Sequence, residues 1–240
     1  MNKLNPPYRK NSMLETASKL RKLTKDFKDT KLKMNINNHL KVYSEVVDFI
    51  KYVEQTELGR TFYCEEHGIY QIYSQEFIAE LINILTILNP KNLLEIHAGD
   101  GLLSYYLSKY FPITATDDYS WKLLTQGKHF PVKKMDVFDS IKDYYPDVVL
   151  SCWAPQHFPL QDVLECSSVR YLVYIGEHKL YGATATPGLF DYPHLLIEVA
   201  TKYALCRSDR EFDTDNPVLH SGVYVFVHPK NEQQLRKIKY

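Results

Sequence analysis

Short apolar runs, separated by polar or amphipathic segments, recur along the chain from about residue 92 onward. Runs of this length that are bounded by turn residues are typical of buried strands. The predicted strands cover residues 92–96, 113–116, 132–135, 148–150, 171–175 and 222–228. Strands that are spaced by helices are typical of a mostly parallel sheet covered on both faces. The pattern therefore predicts an α/β fold.

Helical spacing of apolar residues dominates the part of the chain before this region. One helix is predicted within residues 12–32 and a second over about residues 38–53, with a break between them. We expect residues 1–60 to form an N-terminal helical extension and residues 61–240 to form the main domain. The helices of the extension either cap that domain or pair with another chain, so an oligomer through these helices is one expected arrangement.

Turn and cap residues place further boundaries. Residues 58–74 are predicted as a loop region, and Ser74 stands in the position of an N-cap before a helix that begins at Gln75. That helix is predicted to end near Asn89-Pro90, because the residue before a proline disfavours helix. Residues 193–209 are ambiguous, and one interpretation is a helix to about Tyr203 followed by a strand at residues 204–207.

The composition excludes several classes of protein. The chain has 240 residues, of which 45% are hydrophobic, and this is enough for one substantial core. No run of about 18 uncharged apolar residues occurs, so no membrane span is expected. The first residues lack the apolar stretch of a secretory signal. The four cysteines are scattered without paired spacing, which predicts reduced thiols in a cytoplasmic protein.

Charged residues balance to a formal net charge of zero but are unevenly placed. The first 60 residues carry a basic excess, and the rest of the chain carries an equal acidic excess. A nucleic-acid-binding protein is typically strongly basic over its main domain, whereas residues 61–240 carry an acidic excess. A nucleic-acid partner is therefore disfavoured. The basic N-terminal part is interpreted as a solvated helical surface, with contact to an acidic partner as the alternative.

The segment Leu93–Ser104, which reads Leu-Leu-Glu-Ile-His-Ala-Gly-Asp-Gly-Leu-Leu-Ser, carries the strongest functional signal. Gly99 and Gly101 follow an apolar run and precede a helical pattern. Because glycine lacks a Cβ atom, the backbone can adopt left-handed angles there and approach a ligand closely. In open α/β sheets, ligands lie beyond the carboxyl ends of the strands. We therefore predict a ligand-binding loop, with an ordinary strand-to-helix turn as the alternative.

Acidic residues follow the next two predicted strands. Asp117, which precedes Asp118, can accept hydrogen bonds from the two hydroxyls of a ribose. The alternative for Asp117 is a helix N-cap or a solvated turn. Asp136, followed by Val137, comes after the third predicted strand. An acid with an exposed backbone amide can bind the edge of an adenine, and a surface turn is the alternative.

In this order and spacing, the three motifs resemble class I S-adenosylmethionine-dependent methyltransferases over about residues 74–177. The last predicted strand is a weaker extension of the resemblance. The resemblance implies a Rossmann-like, doubly wound, mostly parallel sheet of seven strands, with S-adenosylmethionine as the cofactor. It also implies that the glycine loop binds the methionine part, the second-strand acid the ribose and the third-loop acid the adenine. The cofactor-binding residues implied in this way are Glu95, His97, Ala98, Gly99, Gly101, Asp117, Asp118, Asp136, Val137 and Ser151.

His97 departs from the family pattern, because it stands where the family usually has its first glycine. An imidazole at this turn either narrows the pocket or adds a hydrogen bond to the cofactor, and a degenerate, inactive site stays open as an alternative. The dehydrogenase pattern Gly-x-Gly-x-x-Gly fits worse, because Ser104 stands three residues beyond Gly101.

The residues after the fourth predicted strand, Ser-Cys-Trp-Ala-Pro-Gln-His, lie where the family places groups near the transferred methyl. His157 is the candidate general base, and Trp153 is a candidate wall near the positive sulfur. A surface histidine and a packing tryptophan are the alternatives. Tyr73 and Glu177 are further candidates for substrate binding. The motif of amino-methylating members, Asn or Asp followed by Pro-Pro and an aromatic residue, is absent, which disfavours DNA adenine methylation.

The sequence leaves three functions open. The predicted function is an S-adenosylmethionine-dependent methyltransferase that acts on a small molecule or a protein side chain. A catalytically inactive, methyltransferase-like binding or scaffold protein is the first alternative, and an RNA methyltransferase is the second. No metal is expected, because Cys64-Glu-Glu-His67 lacks a second Cys/His pair with suitable spacing.

Overall fold

A computed structural model describes residues 40–54, 64, 69–120, 127–155, 157–177, 188–207 and 221–238. The helix predicted within residues 12–32 lies outside these ranges. The strands are β1 (Gln71–Ile72), β2 (Leu93–Ile96), β3 (Ile113–Asp117), β4 (Val132–Lys134), β5 (Val148–Cys152), β6 (Tyr171–Glu177), β7 (His194–Leu196), β8 (Leu205–Cys206) and β9 (Ser221–Phe226). Within these ranges the α-helices are α1 (Tyr43–Glu54), α2 (Gln75–Leu88), α3 (Leu102–Leu107), α4 (Val137–Tyr144), α5 (Leu160–Glu165) and α6 (Glu198–Thr201). The same ranges contain 3₁₀ helices at Leu189–Asp191 and Pro229–Lys237.

Seven strands form the main sheet, in the order β4-β3-β2-β5-β6-β9-β7. Neighbouring strands from β4 to β6 are parallel, and β9 runs antiparallel to both β6 and β7. The chain winds outward in one direction from β2 to β4 and in the other from β5 onward, so β2 and β5 flank the topological switch point. This confirms the predicted fold class, a Rossmann-like, mostly parallel sheet of seven strands.

Helices cover both faces of the main sheet. On one face, Phe77 and Leu81 of α2 pack with residues of the central strands such as Leu150 and Val173. On the other face, α4 and α5 pack against the alternate residues of the same strands, and these include Leu94, Val149 and Leu172. Full burial of such a side chain contributes about 1.5–3 kcal/mol relative to exposure. The two apolar layers explain why the central strands read as continuous hydrophobic runs.

Helix α2 begins and ends where its cap residues predict. The Ser74 hydroxyl accepts a hydrogen bond from the backbone N–H of Phe77 at 3.1 Å. At the other end Asn89 has a φ of 48°, and its N–H donates to the carbonyl of Leu85 at 2.9 Å. Asparagine tolerates this left-handed conformation better than most residues, and Pro90 prevents a further turn.

The structure corrects two predictions outside the central strands. Residues 193–203 do not form one helix, because His194–Leu196 pairs with β9 as the edge strand β7 and only the short helix α6 follows. The loop predicted over residues 58–74 contains the strand β1. The strand predicted at residues 204–207 is confirmed as β8, but it pairs with β1 in a separate two-stranded sheet.

Helix α1 packs against this small sheet. Val46 and Ile50 of α1 lie in one buried cluster with Ile72 of β1 and Leu205 of β8. The second predicted N-terminal helix therefore exists, over residues 43–54, and shares a core with residues from the later part of the chain. The domain boundary near residue 60 stays a prediction. Within the described ranges, no helix has the length and apolar character needed to cross a membrane.

Candidate functional site

The turn that follows β2 lies beside the switch point, at the carboxyl edge of the sheet. His97, Gly99 and Gly101 all have positive φ values, of 56°, 52° and 77°. The backbone N–H of Ala98 donates to the carbonyl of Thr116 in β3 at 3.1 Å, and Gly101 closes the turn by donating to the carbonyl of Ala98 at 2.8 Å. The turn is thus held to the neighbouring strand through the backbone.

Asp117 joins this turn to the end of β3. One oxygen of its carboxylate, Oδ2, accepts a hydrogen bond from the backbone N–H of Gly99 at 3.0 Å. The other oxygen, Oδ1, accepts one from the N–H of Tyr119 at 2.8 Å. An ionised carboxylate offers about four acceptor positions, so both oxygens keep capacity for a further donor. The structure therefore brings the predicted glycine loop and the predicted ribose acid together.

The other predicted acids make local caps. Asp118 is exposed, and its Oδ1 accepts from the N–H of Ser120 at 2.8 Å. Asp136 is the N-cap of α4, where Oδ1 accepts from the N–H of Phe138 at 2.8 Å. Val137, the first residue of α4, is buried in the core. Asp118 thus closes a turn and Asp136 caps a helix, and the cofactor roles of Asp118, Asp136 and Val137 stay predictions.

His97 spans the switch point from β2 to β5. Its Nδ1 atom lies 3.1 Å from the Ser151 hydroxyl, and its ring meets the ring of Phe158 edge to face at 4.6 Å between centroids. The Nε2 atom is buried and has no hydrogen-bond partner in the described part of the chain. Burial lowers the pKa of His97 to about 4, so the imidazole is neutral at physiological pH.

The positive φ of His97 explains this orientation. Side chains alternate between the two faces of a strand, and Glu95 bonds to Ser104 of α3 on one face. Ser151 lies on the opposite face, because it follows Leu150, which packs on the α2 side. Strict alternation would place the His97 side chain on the same face as Glu95. The left-handed backbone angle at His97 turns it to the opposite face, towards Ser151. Such a conformation costs about 1–3 kcal/mol in a residue other than glycine.

Three ionisable side chains with raised pKa values, those of Glu95, Tyr73 and Cys152, lie on the α2 side of the same turn. Burial raises the pKa of Glu95 to about 8, against the opposing hydrogen bond from the Ser104 hydroxyl. The Tyr73 hydroxyl lies 3.7 Å from the Sγ atom of Cys152, at the end of β5. Burial also raises the pKa of Tyr73 and of Cys152 well above their ordinary values. At neutral pH these three side chains are therefore mostly protonated.

Trp153 extends the site to the small sheet. It has a φ of 58°, and its backbone N–H donates to the carbonyl of Ile175 at 2.8 Å. Its indole Nε1–H donates to the Oε1 atom of Gln71 in β1, also at 2.8 Å. No local pattern in the sequence marks Gln71, because its position depends on the pairing of β1 with β8.

Comparison with known proteins gives structural similarity only. No family model matches the chain, and no curated protein matches it. Precorrin-6y C5,15-methyltransferase from Geobacter metallireducens is 14% identical, with a TM-score of 0.39, over 65% of this chain and 90% of that one. An S-adenosylmethionine-dependent O-methyltransferase from Thermotoga maritima is 9% identical, with a TM-score of 0.38, over 71% of both chains.

The human methyltransferase 10 domain-containing protein is 14% identical, with a TM-score of 0.37, over 76% of this chain and 97% of that one. At these identities and TM-scores the similarities carry no argument about activity. The strand order and the glycine turn at the switch point decide the fold. The chain has a Rossmann-like fold.

The remaining predicted site residues lie at the rim of the Rossmann-like sheet. His157 has a φ of 65° and is exposed, and the described residues provide no hydrogen bond to its side chain. Glu177 ends β6, and its backbone pairs with Ser221 of β9. The structure therefore places both residues near the carboxyl edge without joining them to the His97–Ser151 contact.

The outer side of the glycine turn is covered by the chain itself. The backbone N–H groups of Gly127 and His129 donate to the carbonyls of Gly99 and Asp100 at 3.1 and 3.0 Å. A Cβ atom on Gly101 would lie 2.9 Å from the Cβ atom of Phe130. Gly101 is therefore required for packing as well as for its backbone angle.

Metal ligands do not gather in the described residues. No group of three or more His, Cys, Asp or Glu side chains that could hold a metal ion occurs among them. Cys64 is buried, whereas His67 lies outside the described ranges. The zinc site that sequence analysis disfavoured is thus untested at one of its two residues.

Proposed function

We propose that the chain is an S-adenosylmethionine-dependent methyltransferase whose acceptor is a small molecule or a protein side chain. The observation that carries this proposal is the hydrogen bond from Gly99 to Asp117. It unites a glycine-rich turn and a ribose-binding type of acid at the switch point, which is where Rossmann-like sheets bind nucleotides. The distant structural similarity to methyltransferases is consistent with it.

The residues present fit an adenosyl cofactor. Asp117 retains acceptor capacity for ribose hydroxyls, and the backbone at Gly99 has no side chain that blocks close approach. The unpartnered Nε2 atom of His97 offers one more polar contact at the switch point. Glu95 lies on the α2 side of the turn, and a cationic ligand there would favour its ionised form. When bound, the cofactor supplies a methyl group on a sulfonium, which is electrophilic without further activation.

The protein then has to position the acceptor and exclude water, because methyl transfer is an in-line displacement. Trp153 and Tyr73, which contacts Cys152, are proposed to hold the acceptor at the end of β5. Glu95 and Cys152, which lie near Tyr73, are mostly protonated at physiological pH, and this favours an uncharged nucleophile. His157, on the turn after β5, is the proposed base that removes a proton from the acceptor where one must leave.

Isothermal titration with S-adenosylhomocysteine tests the proposal. We expect the wild-type protein to bind with a Kd in the range of about 1–100 μM. Asp117→Asn should weaken binding about tenfold, because the amide places a donor where the ribose hydroxyls need an acceptor. The matched control is Asp143→Asn, an exposed carboxylate in α4, which should leave the Kd unchanged. Absence of heat with both S-adenosylmethionine and S-adenosylhomocysteine contradicts the proposal.

A non-catalytic binding or scaffold protein is the second candidate. Two observations favour it: His97 stands in the place of a glycine, and residues 127–130 cover the outer side of the turn. Transfer of label from methyl-labelled cofactor to any acceptor would exclude this candidate. RNA as the acceptor is a weaker alternative, and it requires an affinity that falls steeply with salt.

A further inference from the structure

Gln71 provides a hydrogen-bond donor that the described structure leaves unused. We propose that its side-chain NH₂ group binds a carbonyl or carboxylate oxygen of the methyl acceptor. This inference rests on the proposed function, since it names the chemistry of the acceptor at that same site. It is carried by three observations: the fixed orientation of the amide, the absence of a partner for Nε2 and the position beside Trp153.

Trp153 fixes the orientation of the Gln71 amide. An indole Nε1–H is a donor only, so the atom it contacts at 2.8 Å must be the amide oxygen. The ambiguity between nitrogen and oxygen that affects most glutamine side chains does not arise here. The two N–H donors of Nε2 consequently point away from the indole nitrogen.

Those donors have no partner. The Nε2 atom is buried, and no acceptor lies within hydrogen-bonding distance in the described part of the chain. Gln71 as a whole is 5% exposed, so bulk water does not solvate the amide. Buried donors are almost always satisfied in native structures, and an unsatisfied one calls for a water or a ligand.

The position of Gln71 indicates contact with the methyl acceptor and not with a ligand in the glycine turn. Its partner Trp153 follows Cys152 directly, and Tyr73, two residues after Gln71, contacts the Cys152 sulfur at 3.7 Å. Trp153, whose indole contacts the Gln71 amide, is itself partly exposed. Trp153 also keeps a φ of 58°, and this costly backbone angle accompanies the indole contact with Gln71.

The polarity of Nε2 selects the ligand. An NH₂ group binds oxygen acceptors and leaves ammonium or guanidinium groups without a partner. The neighbouring Tyr73 and Cys152 are neutral at physiological pH, so they do not repel a carboxylate. The expected methyl acceptor therefore carries a planar C=O group, from an amide or a carboxylate, near the atom that receives the methyl group.

Side-chain amide NMR tests this inference on the full chain. The Gln71 NH₂ signals are identified through their NOE to the Trp153 indole proton, and benzamide, benzoate and benzylamine serve as probes. We expect benzamide and benzoate to shift the Gln71 signals and benzylamine to leave them unchanged. An NH₂ signal that shows a persistent NOE to water and ignores both oxygen probes would indicate a structural water and overturn the inference.

Gln71→Glu is the matched variant. It keeps an oxygen that can accept the indole N–H, and it replaces the donor NH₂ group with an oxygen that accepts when the carboxyl is ionised. The indole signal of Trp153 should persist. Where the side-chain carboxyl ¹³C shift shows the new carboxyl to be ionised, the preference should reverse to about tenfold in favour of benzylamine over benzamide. An unchanged preference for benzamide in the ionised variant overturns the inference. The wild-type spectra decide the point even where the variant does not fold.

The inference and the proposed function fail in different ways. Titration with S-adenosylhomocysteine on the same samples tests the cofactor site. Loss of that binding with intact oxygen-probe shifts overturns the proposed function and with it the role of the bound oxygen as part of a methyl acceptor. Normal S-adenosylhomocysteine binding without any Gln71 shift overturns this inference alone.

Discussion

The Nδ1 atom of His97 lies 3.1 Å from the hydroxyl of Ser151, so the ends of β2 and β5 are bonded across the switch point. In a Rossmann-like sheet this crevice is where a ligand enters. A histidine with left-handed backbone angles holds one side of the crevice to the other, and it keeps its second nitrogen unpaired. This contact between side chains adds to the backbone hydrogen bonds that already hold the turn to β3.

A double-mutant cycle measures this contact. We expect His97→Ala and Ser151→Ala to show a coupling free energy of about 0.5–1.5 kcal/mol in urea unfolding, as for a partly buried neutral hydrogen bond. The control cycle combines His97→Ala with Ser108→Ala, at the exposed end of α3, and should be additive. A coupling indistinguishable from that control would show that the His97–Ser151 bond does not stabilise the fold.

Acid should destabilise the protein through His97. The pKa is about 4 in the folded protein and 6.5 in the unfolded chain, so the unfolded state binds more protons between these values. Stability contributed by the neutral imidazole is complete above pH 6.5 and is lost as the pH falls towards 4. His97→Asn, which tolerates a left-handed backbone, should reduce this loss by up to about 1.4 kcal/mol per pH unit. Urea unfolding at pH 4.5, 5.5 and 6.5 measures the difference, and parallel curves for the two proteins would contradict the assignment.

Glu95 should act in the opposite direction. Its pKa is about 8 in the folded protein and 4.5 in the unfolded chain, so the folded state holds the proton between these values. The stability that the protonated carboxyl contributes is complete below pH 4.5 and is lost as the pH rises through 8. Glu95→Gln keeps the shape and removes the proton, so its stability should fall less between pH 6 and 8 than that of the wild type. Glu198→Gln, an exposed residue of α6, is the control and should follow the wild-type curve.

Gly101→Ala should destabilise the fold more than Gly188→Ala. Both glycines have φ values near 77°, so both substitutions carry the same backbone strain. Only Gly101 meets a packed neighbour, because an added Cβ would lie 2.9 Å from Phe130, whereas at Gly188 the nearest atom is 3.7 Å away in Gln161. We expect an excess loss of about 1–3 kcal/mol at Gly101, measured by urea unfolding. Equal losses at the two positions would mean that Phe130 moves aside at little cost.

The ends of α2 and the central strands could be predicted from the sequence, because residues close in the chain determine them. Ser74 and Asn89-Pro90 cap α2 as expected, because a side chain and a backbone angle decide a helix end without help from distant residues. The central strands were predicted because burial on both faces makes them continuously apolar. The segment at residues 194–196 was not, since its apolar residues also fit a helix and only pairing with β9 selects the strand.

The sequence predicted which strand ends carry the glycines and acids of the candidate site. It did not predict the directions in which the neighbouring side chains point. The sequence places Gly99 and Asp117 at neighbouring strand ends, and the structure joins them. It does not reveal that His97 and Trp153 have positive φ, and these two angles decide which groups they contact. Gln71 depends on a strand pair between distant parts of the chain, so no motif around it signals its role.

The pairing of Gln71 with Cys206 has a consequence for biosynthesis. The two residues are far apart in sequence, so β1 stays without its partner while the ribosome makes the intervening chain. The glycine turn and β3 emerge much earlier and can assemble on the nascent polypeptide. The surroundings of Trp153 that include Gln71 are therefore completed later than the glycine turn, once β8 has left the exit tunnel.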